Sequence, residues 1–236
     1  MIDLETPVLN DLGVTLHNRY LRIGGALVIA DLHLGKTMHF RKAGLPVPPH
    51  AREADQLNLL HLLQNEQPNE LIVLGDLFHS SSNSEIDELR MITTQFPEIH
   101  FELVLGNHDI LERAVYHSLD FEVCDQKQIG KFLMTHEPLD EVPAWLINMH
   151  GHIHPGIKLQ GRGKQSVMLP CFHLSKTHFC LPAFGALTGL AKRNPRKSDR
   201  IFAIANNNIF EWEVWSSIFV NQYVIYVWQN KLVQRA

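Results

Sequence analysis

Five short blocks of candidate metal ligands occur in this chain, each just after an apolar run. In chain order the blocks are Asp31-Leu32-His33, Gly75-Asp76, Gly106-Asn107-His108-Asp109, His136 and Gly151-His152-Ile153-His154. The preceding runs are ALVIA (26–30), LIVL (71–74), FELVL (101–105), FLMT (132–135) and LINM (146–149). A buried strand of this kind ends at the edge of its sheet, where the side chains that follow it are held rigidly. The pattern predicts five strand ends that bring oxygen and imidazole ligands to one edge, where open α/β sheets commonly build their sites.

Helical patterns alternate with these strands in the first half of the chain. One helix is expected after the prolines at positions 46, 48 and 49, where apolar residues recur every three positions: Ala51, Ala54, Leu57, Leu60 and Leu63. The segment Ser84-Glu85-Ile86-Asp87 has the pattern of a capping box and predicts the start of a second helix. A third helix is expected to begin at Asp109. The range 14–23 predicts an edge hairpin before the strand at 26–30.

The second half of the chain has the pattern of β-strands. From Gly156 onward the segments GIKLQ, SVMLPCF, RIFAIA, NIFEWEV and YVIYVW are separated by Gly, Pro and Asn turns. An α/β half joined to a β-rich half predicts a two-sheet β-sandwich flanked by helices. At 236 residues, one domain spanning 1–236 is expected. Residues 215–236 fit an extra edge strand and a subunit contact equally well, which leaves the oligomeric state open.

Composition excludes several classes of protein. The formal net charge of −4 argues against a broadly basic surface that coats DNA. The three cysteines lack the C-x-x-C spacing of metal sites and are expected to be reduced thiols in a cytoplasmic protein. The first residues lack the features of a signal peptide, and no apolar run approaches the ~18–20 residues of a membrane span.

The five blocks, in this order, resemble the calcineurin-like metallophosphoesterase superfamily, whose pattern is DxH, GD, GNH(D/E), H and GHxH. The segment GDLFHS at 75–80 resembles the corresponding segment of DNA nucleases in that superfamily, which carry a histidine after GDLF. DLHLGK at 31–36 and LPAFG at 181–185 are similar to the bacterial DNA-ligase-associated branch. The resemblance implies an α/β class protein with the calcineurin-like phosphoesterase fold, in which helices flank the two sheets in an αββα order.

The same resemblance implies a site for two divalent metal ions. Asp76 would bridge them, because a negative ligand offsets the repulsion between two cations. Asp31, His33 and His154 would complete the shell of one ion, and Asn107, His136 and His152 that of the other. Mixed nitrogen and oxygen ligands suit Mn²⁺, Fe or Zn²⁺ better than Mg²⁺ or Ca²⁺. Mn²⁺ is the expected metal, with Fe or Zn²⁺ as alternatives.

Other residues of the blocks are candidates for catalysis and substrate contact. His108 adjoins a ligand and could protonate the leaving oxygen, a role worth ~10²–10⁴-fold in rate. Asp109 could hold the His108 imidazole in the required tautomer. His79, Lys36 and Arg41 follow the first two blocks closely and are expected to contact the substrate.

Two further features remain open at the level of sequence. Strand alternation places His150 on the side of His152 and His154, although the Gly-His-x-His register favours the later two as ligands. Basic residues also cluster between two predicted strands: Lys192, Arg193, Arg196, Lys197 and Arg200. The pattern favours a solvated connection, and a contact with a nucleic-acid backbone is the alternative.

The expected function is hydrolysis of phosphodiester bonds. The family resemblance implies a DNA nuclease in DNA repair, alongside a DNA ligase and a helicase-like protein. One alternative is a phosphodiesterase for cyclic or linear nucleotides, which would use the same ligands. Another is a catalytically inactive scaffold, against which His108 and the complete ligand set speak.

Overall fold

Two mixed β-sheets pack face to face in the computed structural model, which describes residues 7–36, 51–79, 83–160 and 165–212. The strands of the first sheet lie in chain order: β1 (Val8–Leu9), β2 (Val14–His17), β3 (Tyr20–Ile23), β4 (Ala26–Ala30), β5 (Glu70–Leu74), β6 (His100–Val104) and β7 (Phe121–Cys124). Strands β1 to β4 pair antiparallel, whereas β4 to β7 run parallel.

The second sheet contains nine strands within the described residues. They are β8 (Lys127–Ile129), β9 (Phe132–Thr135), β10 (Ile147–His150), β11 (Pro155–Gln160), β12 (Ser166–Leu174), β13 (His178–Cys180), β14 (Ala191–Lys192), β15 (Arg200–Ala205) and β16 (Asn208–Trp212). Their order is β14-β11-β12-β13-β10-β9-β8, and β15 pairs with β12 and carries β16. The neighbours β9, β10 and β13 are parallel.

Three helices are present in the described ranges: α1 (Ala51–Glu66), α2 (Asn83–Thr93) and α3 (Arg113–His117). One apolar core lies between the sheets and contains Val28, Ile72 and Phe172. A second core contains Ile29 of the first sheet and Leu89 of α2. Because β4 and β5 are covered on both faces, nearly every residue of these strands is apolar, as is usual for buried parallel strands.

The five apolar runs predicted as strands are confirmed as β4, β5, β6, β9 and β10. The predicted hairpin is confirmed as β2 and β3, but it does not form the edge of the sheet, because β1 pairs with β2 on the outside. The β-rich second half is confirmed as β11, β12, β15 and β16.

The predicted helix at 51–63 is confirmed as α1, and Leu63 is buried as predicted, but the rest of its buried face differs from the prediction. Leu57 is 47% exposed, whereas Asp55, Leu59 and Leu63 are buried. An α-helix has 3.6 residues per turn, so residues spaced strictly by three drift around its surface. The buried residues follow the spacing of four that keeps them on one side.

The other two helices differ from the prediction at their starts. Helix α2 begins at Asn83, one residue before the predicted capping box. Helix α3 covers only Arg113–His117 and begins four residues after Asp109. The reason lies in the Asp109 side chain, which binds backbone amides of two loops, as described below, and so holds this segment outside a helix.

Three further expectations concern the C-terminal segment, membrane spans and the cysteines. The segment 215–236 lies outside the described residues. Among those that are described, no helix is long and apolar enough to cross a membrane. The three cysteines are unpaired, and Cys171 and Cys180 are buried, as expected for structural thiols.

Candidate metal centre

The five ligand blocks meet at one edge of the sandwich. Three follow the neighbouring parallel strands β4, β5 and β6 of the first sheet, and two follow the parallel strands β9 and β10 of the second. Parallel strands end at the same side of their sheet, and the two sheets pack together, so the loops face one another. The edge predicted from the sequence is thus built by two sheets.

The first cluster of donor atoms contains Asp31, His33, Asp76 and His154. The Nε2 atoms of His33 and His154 lie 3.4 Å apart. His154 Nε2 lies 3.3 Å from Asp31 Oδ1, and His33 Nε2 lies 3.5 Å from Asp76 Oδ2. Each donor of the set is therefore within a few ångströms of another.

The second cluster contains Asp76, Asn107, His136 and His152. His136 Nε2 lies 3.3 Å from Asp76 Oδ1 and 3.0 Å from Asn107 Oδ1. His152 Nδ1 lies 3.2 Å from Asn107 Oδ1 and 3.2 Å from His136 Nε2. Asp76 belongs to both clusters, because Oδ2 faces the first and Oδ1 faces the second.

The donor atoms fit two divalent ions. Ligand atoms ~2.0–2.2 Å from a common ion lie about 3–3.5 Å apart at tetrahedral or octahedral angles. The spacings in both clusters fall in this range. His136 Nδ1 lies 3.0 Å from the Leu74 carbonyl oxygen, and donation to this carbonyl leaves Nε2 free to bind a metal.

The backbone of the ligand loops is strained. Positive φ angles occur at five of the donor residues: 54° at Asp31, 50° at His33, 54° at Asp76, 64° at His152 and 50° at His154. Such angles are uncommon outside glycine, cost energy and concentrate at functional sites. Hydrogen bonds between loops hold the conformation, since His33 N donates to the Asp76 carbonyl and His152 N donates to the Asp31 carboxylate.

Two glycines of the blocks allow the loops to approach this closely. A Cβ atom at Gly75 would lie 2.2 Å from His136 Nδ1, and the φ of Gly75 is 70°. A Cβ atom at Gly151 would lie 2.6 Å from Asp31 Oδ2. Any larger residue at either position would displace a donor, because the neighbouring groups are buried.

Asp109 has a different role from the one expected. Its Oδ2 accepts hydrogen bonds from Asp76 N at 2.8 Å and Gly106 N at 2.9 Å, and its Oδ1 accepts one from Leu77 N at 3.0 Å. Within the described residues the carboxylate makes no hydrogen bond to the His108 imidazole. Asp109 therefore joins the second and third ligand loops rather than orienting His108.

Three of the remaining candidates lie around the donor clusters. The ring centroids of His33, His79 and His108 are 5.6–5.7 Å apart in each pair. His108 is exposed, and its backbone N–H donates to Asp76 Oδ1. Partial burial lowers the pKa of Lys36, and the nearby carboxylates, including Asp31 and Asp76, oppose that shift. Arg41 lies outside the described residues.

The protonation of two donors suits metal binding, which needs unprotonated ligands. Burial and the charge of Lys36 lower the pKa of His33 to about 3, so its ring is neutral at pH 7. Burial alone would raise the pKa of Asp76, but hydrogen bonds from His136 and from the His108 backbone outweigh it and lower the pKa to about 2. Burial would lower the pKa of His136, but its contact with Asp76 raises it to about 9, so a metal ion must displace the Nε2 proton of this ring.

The sequence did not predict a supporting role for Asp55. The loop after β13 lies against the first ligand block, because Phe184 N donates to the Ala30 carbonyl and Gly185 N to the Asp31 carbonyl. The buried carboxylate of Asp55 accepts the Ala186 N–H at 2.8 Å and fixes this loop to α1. A carboxylate on the buried face of a helix is the signal that could have identified it.

His150 lies outside both clusters. It is the last residue of β10, and its Nδ1 contacts the Gly151 carbonyl oxygen at 2.9 Å. Burial lowers the pKa of His150 to about 4, so the ring is neutral. This placement agrees with the Gly-His-x-His register, which favoured His152 and His154.

Known proteins resemble this chain in sequence family and in fold. A family model described as calcineurin-like phosphoesterase matches residues 26–168, which include all five blocks. The nuclease MPE of Pseudomonas putida has a similar fold, with a TM-score of 0.68 and 24% identity over 84% of this chain and 94% of that chain. Yfce, a phosphoesterase from E. coli, gives a TM-score of 0.38 and 13% identity over 80% of this chain and 98% of that chain. No curated protein sequence matches the chain significantly.

Proposed function

The chain belongs to the calcineurin-like phosphoesterase family, and we propose that it is a dinuclear metal-dependent nuclease that hydrolyses phosphodiester bonds in DNA. The observation that carries the proposal is the position of Asp76, whose two carboxylate oxygens face two separate donor clusters. A single bridging carboxylate between two mixed nitrogen and oxygen sets is what a two-metal hydrolytic site requires.

The residues divide into two metal shells. Asp31, His33 and His154 would hold one ion and Asn107, His136 and His152 the other, with Asp76 shared. When bound, the ion pair supplies Lewis-acid activation of water and neutralises charge on the phosphoryl oxygens. The mixed nitrogen and oxygen donor set fits Mn²⁺, Fe or Zn²⁺, and we take Mn²⁺ as the metal to be tested first.

The residues around the metal shells bind and protonate the substrate in this proposal. His108 is exposed and follows ligand Asn107, so it can donate a proton to the leaving oxygen. His79 lies beside it and can contact a phosphoryl oxygen. Lys36 contributes positive charge near the carboxylates, and Arg41 is placed with it by sequence alone.

DNA is favoured as substrate by two observations. Asn107 and His108 are exposed, so the donor clusters open towards solvent and can admit a polymer. The Pseudomonas putida protein with the same fold is described as a nuclease. A phosphodiesterase for cyclic or linear nucleotides is the second candidate, because the metal shells would be the same. The DNA ligase, the helicase-like partner, the DNA-repair setting, the cytoplasmic location and the single domain over 1–236 remain predictions.

A substrate panel tests this function. Protein stripped of metal by a chelator is expected to be inactive, and Mn²⁺ should restore hydrolysis with two ions bound per chain. The reloaded protein should cleave labelled DNA as well as bis-p-nitrophenyl phosphate. Full activity in the chelated protein, or binding of one ion only, would contradict the dinuclear site. Brisk turnover of a cyclic nucleotide without DNA cleavage would establish the second candidate instead.

Substrate contacts should matter for DNA more than for small diesters. Substituting His79, Lys36 or Arg41 by alanine is expected to lower DNA cleavage about tenfold through loss of charged or polar phosphate contacts. Hydrolysis of bis-p-nitrophenyl phosphate, which has no flanking nucleotides, should fall much less. Lys131→Ala is a matched control for Lys36→Ala, because Lys131 adjoins the start of β9, at the end remote from His136. Equal losses on both substrates would assign these residues to the general catalytic machinery.

A further inference from the structure

We propose that a second phosphate-binding site lies beside the metal centre and takes a phosphate of the same nucleic-acid strand. The site is a cavity of about 500 Å³ between the ends of β10, β12 and β13 and the basic segment before β15. Its lining includes His150, His173, His178, Arg193, Arg196 and Asp199. This inference rests on the proposed function, because it assumes that a strand occupies the metal centre.

The guanidinium of Arg193 is held in a fixed position. Its Nε–H donates to His173 Nδ1 at 3.1 Å, so His173 carries its own proton on Nε2. That nitrogen lies 3.0 Å from Asp199 Oδ2 and donates to it. His173 is 7% exposed, so the pair Arg193–His173 is anchored in the protein interior. The pre-ordered guanidinium loses little conformational entropy when it binds.

The outer nitrogens of Arg193 are available to a ligand. In the described part of the chain, neither Nη atom of Arg193 makes a hydrogen bond, because only Nε is used. Two terminal N–H groups of a guanidinium match two oxygens of a phosphate. Arg196 lines the same cavity and is exposed, which adds a second positive charge.

The cavity is suited to an anion rather than a metal ion. Both ring nitrogens of His173 are already in hydrogen bonds, to Arg193 and Asp199. Those of His178 contact Thr177 Oγ1 at 2.9 Å and the Leu139 carbonyl at 2.9 Å. Two of the three histidines therefore have no nitrogen left for a metal ion. The Oδ2 atom of Asp199 accepts hydrogen bonds from both the His173 ring and the Arg196 backbone N–H.

The cavity shares a backbone segment with the metal centre. Ile153, between the candidate ligands His152 and His154, lines it. Ala191 N donates to the His154 carbonyl at 2.9 Å, and Arg193 N donates to the Gly156 carbonyl at 2.8 Å. The basic segment is thus attached directly to the strand that leaves the last ligand block. A strand bound over the metals has neighbouring phosphates available for this second site.

The sequence shows the cluster of basic residues but not which of them face the cavity. Of the five basic residues in the cluster, Arg200 is paired with Glu211 at 2.7 Å and is therefore used within β15 and β16. Arg193 and Arg196 are the members that line the cavity. A small number of well-placed cations is consistent with the net charge of −4, because the metals already bind the cleaved phosphate.

Strand binding without cleavage tests the proposal. The affinity of the Mn²⁺-loaded His108→Ala protein, in which cleavage is expected to be slow, for a short fluorescein-labelled oligothymidylate can be measured by fluorescence anisotropy at several salt concentrations, with each further substitution made in this background. Arg193→Ala should weaken binding about tenfold, the effect of losing one charged hydrogen-bonding group. It should also lower the slope of log Kd against log salt by ~0.7, the value for one phosphate contact on a single strand. The matched control Arg90→Ala, in the last turn of α2 on the opposite side of the first sheet, should change neither quantity.

A second variant guards against a structural effect of Arg193→Ala. Asn194 is exposed and lines the cavity, so Asn194→Asp places a negative charge beside Arg193 without removing its hydrogen bonds. It should weaken strand binding as well, whereas Asn208→Asp, exposed on β16, should not. If Arg193→Ala weakens binding and Asn194→Asp does not, Arg193 supports the ligand loop and the proposal is wrong. If Arg193→Ala and Asn194→Asp bind the strand as tightly as their control variants do, the proposal is also wrong.

Separate measurements distinguish a nucleic-acid phosphate from free phosphate, and failure of this inference from failure of the proposed function. Inorganic phosphate that shifts the NMR signals of His173 or His178, with strand binding independent of Arg193, would make this a free-anion site and overturn the strand assignment. Failure of the Mn²⁺-loaded, unsubstituted protein to cleave DNA would contradict the proposed function alone. Strand binding is measured in the metal-loaded, slowly cleaving background, so its dependence on Arg193 does not require cleavage.

Discussion

Replacing Asp76 by alanine is expected to lower phosphodiester hydrolysis by ~10³-fold or more, because metal ions supply several kcal/mol of transition-state stabilisation. Asp76 faces both donor clusters, so its removal deletes a ligand from each shell. The two cations would also lose the negative charge between them, and their repulsion should reduce occupancy below two ions per chain. Metal analysis after dialysis, together with the rate on bis-p-nitrophenyl phosphate, measures both effects.

Two companion variants sharpen the interpretation of Asp76→Ala. Asp87→Ala removes a carboxylate that is exposed on α2 and should leave metal content and rate unchanged. Asp76→Asn keeps one oxygen and the shape but removes the charge, so its metal content separates charge neutralisation from ligation. A variant lacking Asp76 that still binds two ions and hydrolyses the diester at the original rate would contradict the bridging role.

The strands and the ligand blocks could be predicted because their signals are local. Runs such as ALVIA and LIVL are apolar along their whole length, which only a strand covered on both faces requires. Each block follows its run within one or two residues, so the position of a candidate ligand at a strand end needed no knowledge of the rest of the fold. The pairing of the two sheets was not local, and the sequence predicted one edge without showing that two sheets form it.

The errors came from interactions between distant positions. Asp109 was assigned to His108, its neighbour in sequence, but its carboxylate binds amides of the loop at Asp76 and Leu77. The same bonds keep residues after 109 from continuing into a helix. The buried face of α1 was misread because Asp55 interrupts its apolar pattern, and that carboxylate is buried to hold the Ala186 amide. Asp109 belongs to the GNHD block, but neither that block nor the pattern around Asp55 shows which amides these carboxylates bind.

The cavity beside the metal centre also depends on contacts between residues that are distant in the sequence. Arg193, His173 and Asp199 are up to 26 positions apart and form one hydrogen-bonded chain. The basic cluster was visible in the sequence, but the pairing of Arg200 with Glu211 and the anchoring of Arg193 on His173 depend on strand register. The sequence alone therefore favoured a solvated connection over a phosphate contact.

Replacing His108 by alanine is expected to slow turnover by ~10²–10⁴-fold, the usual contribution of a general acid, while both metals stay bound. The His108 contact with Asp76 is made by its backbone N–H, which alanine retains, so the second ligand loop should keep its position. The His108 imidazole is exposed and makes no hydrogen bond with another described residue. The loss should be greatest for DNA, whose leaving alkoxide needs a proton, and smallest for diesters with acidic phenols.

A series of aryl phosphodiesters measures this dependence. The rate of the His108→Ala protein should fall more steeply than that of the unsubstituted protein as the leaving phenol becomes less acidic. His61→Ala, at an exposed position on α1, is the matched control and should follow the unsubstituted protein. If plots of log rate against the pKa of the leaving phenol have the same slope for His108→Ala and the unsubstituted protein, the acid role is contradicted. A proton donor that does not touch the ions can be removed without releasing them. If the His108→Ala protein loses as much metal as is expected for Asp76→Ala, His108 is a metal ligand and not the general acid.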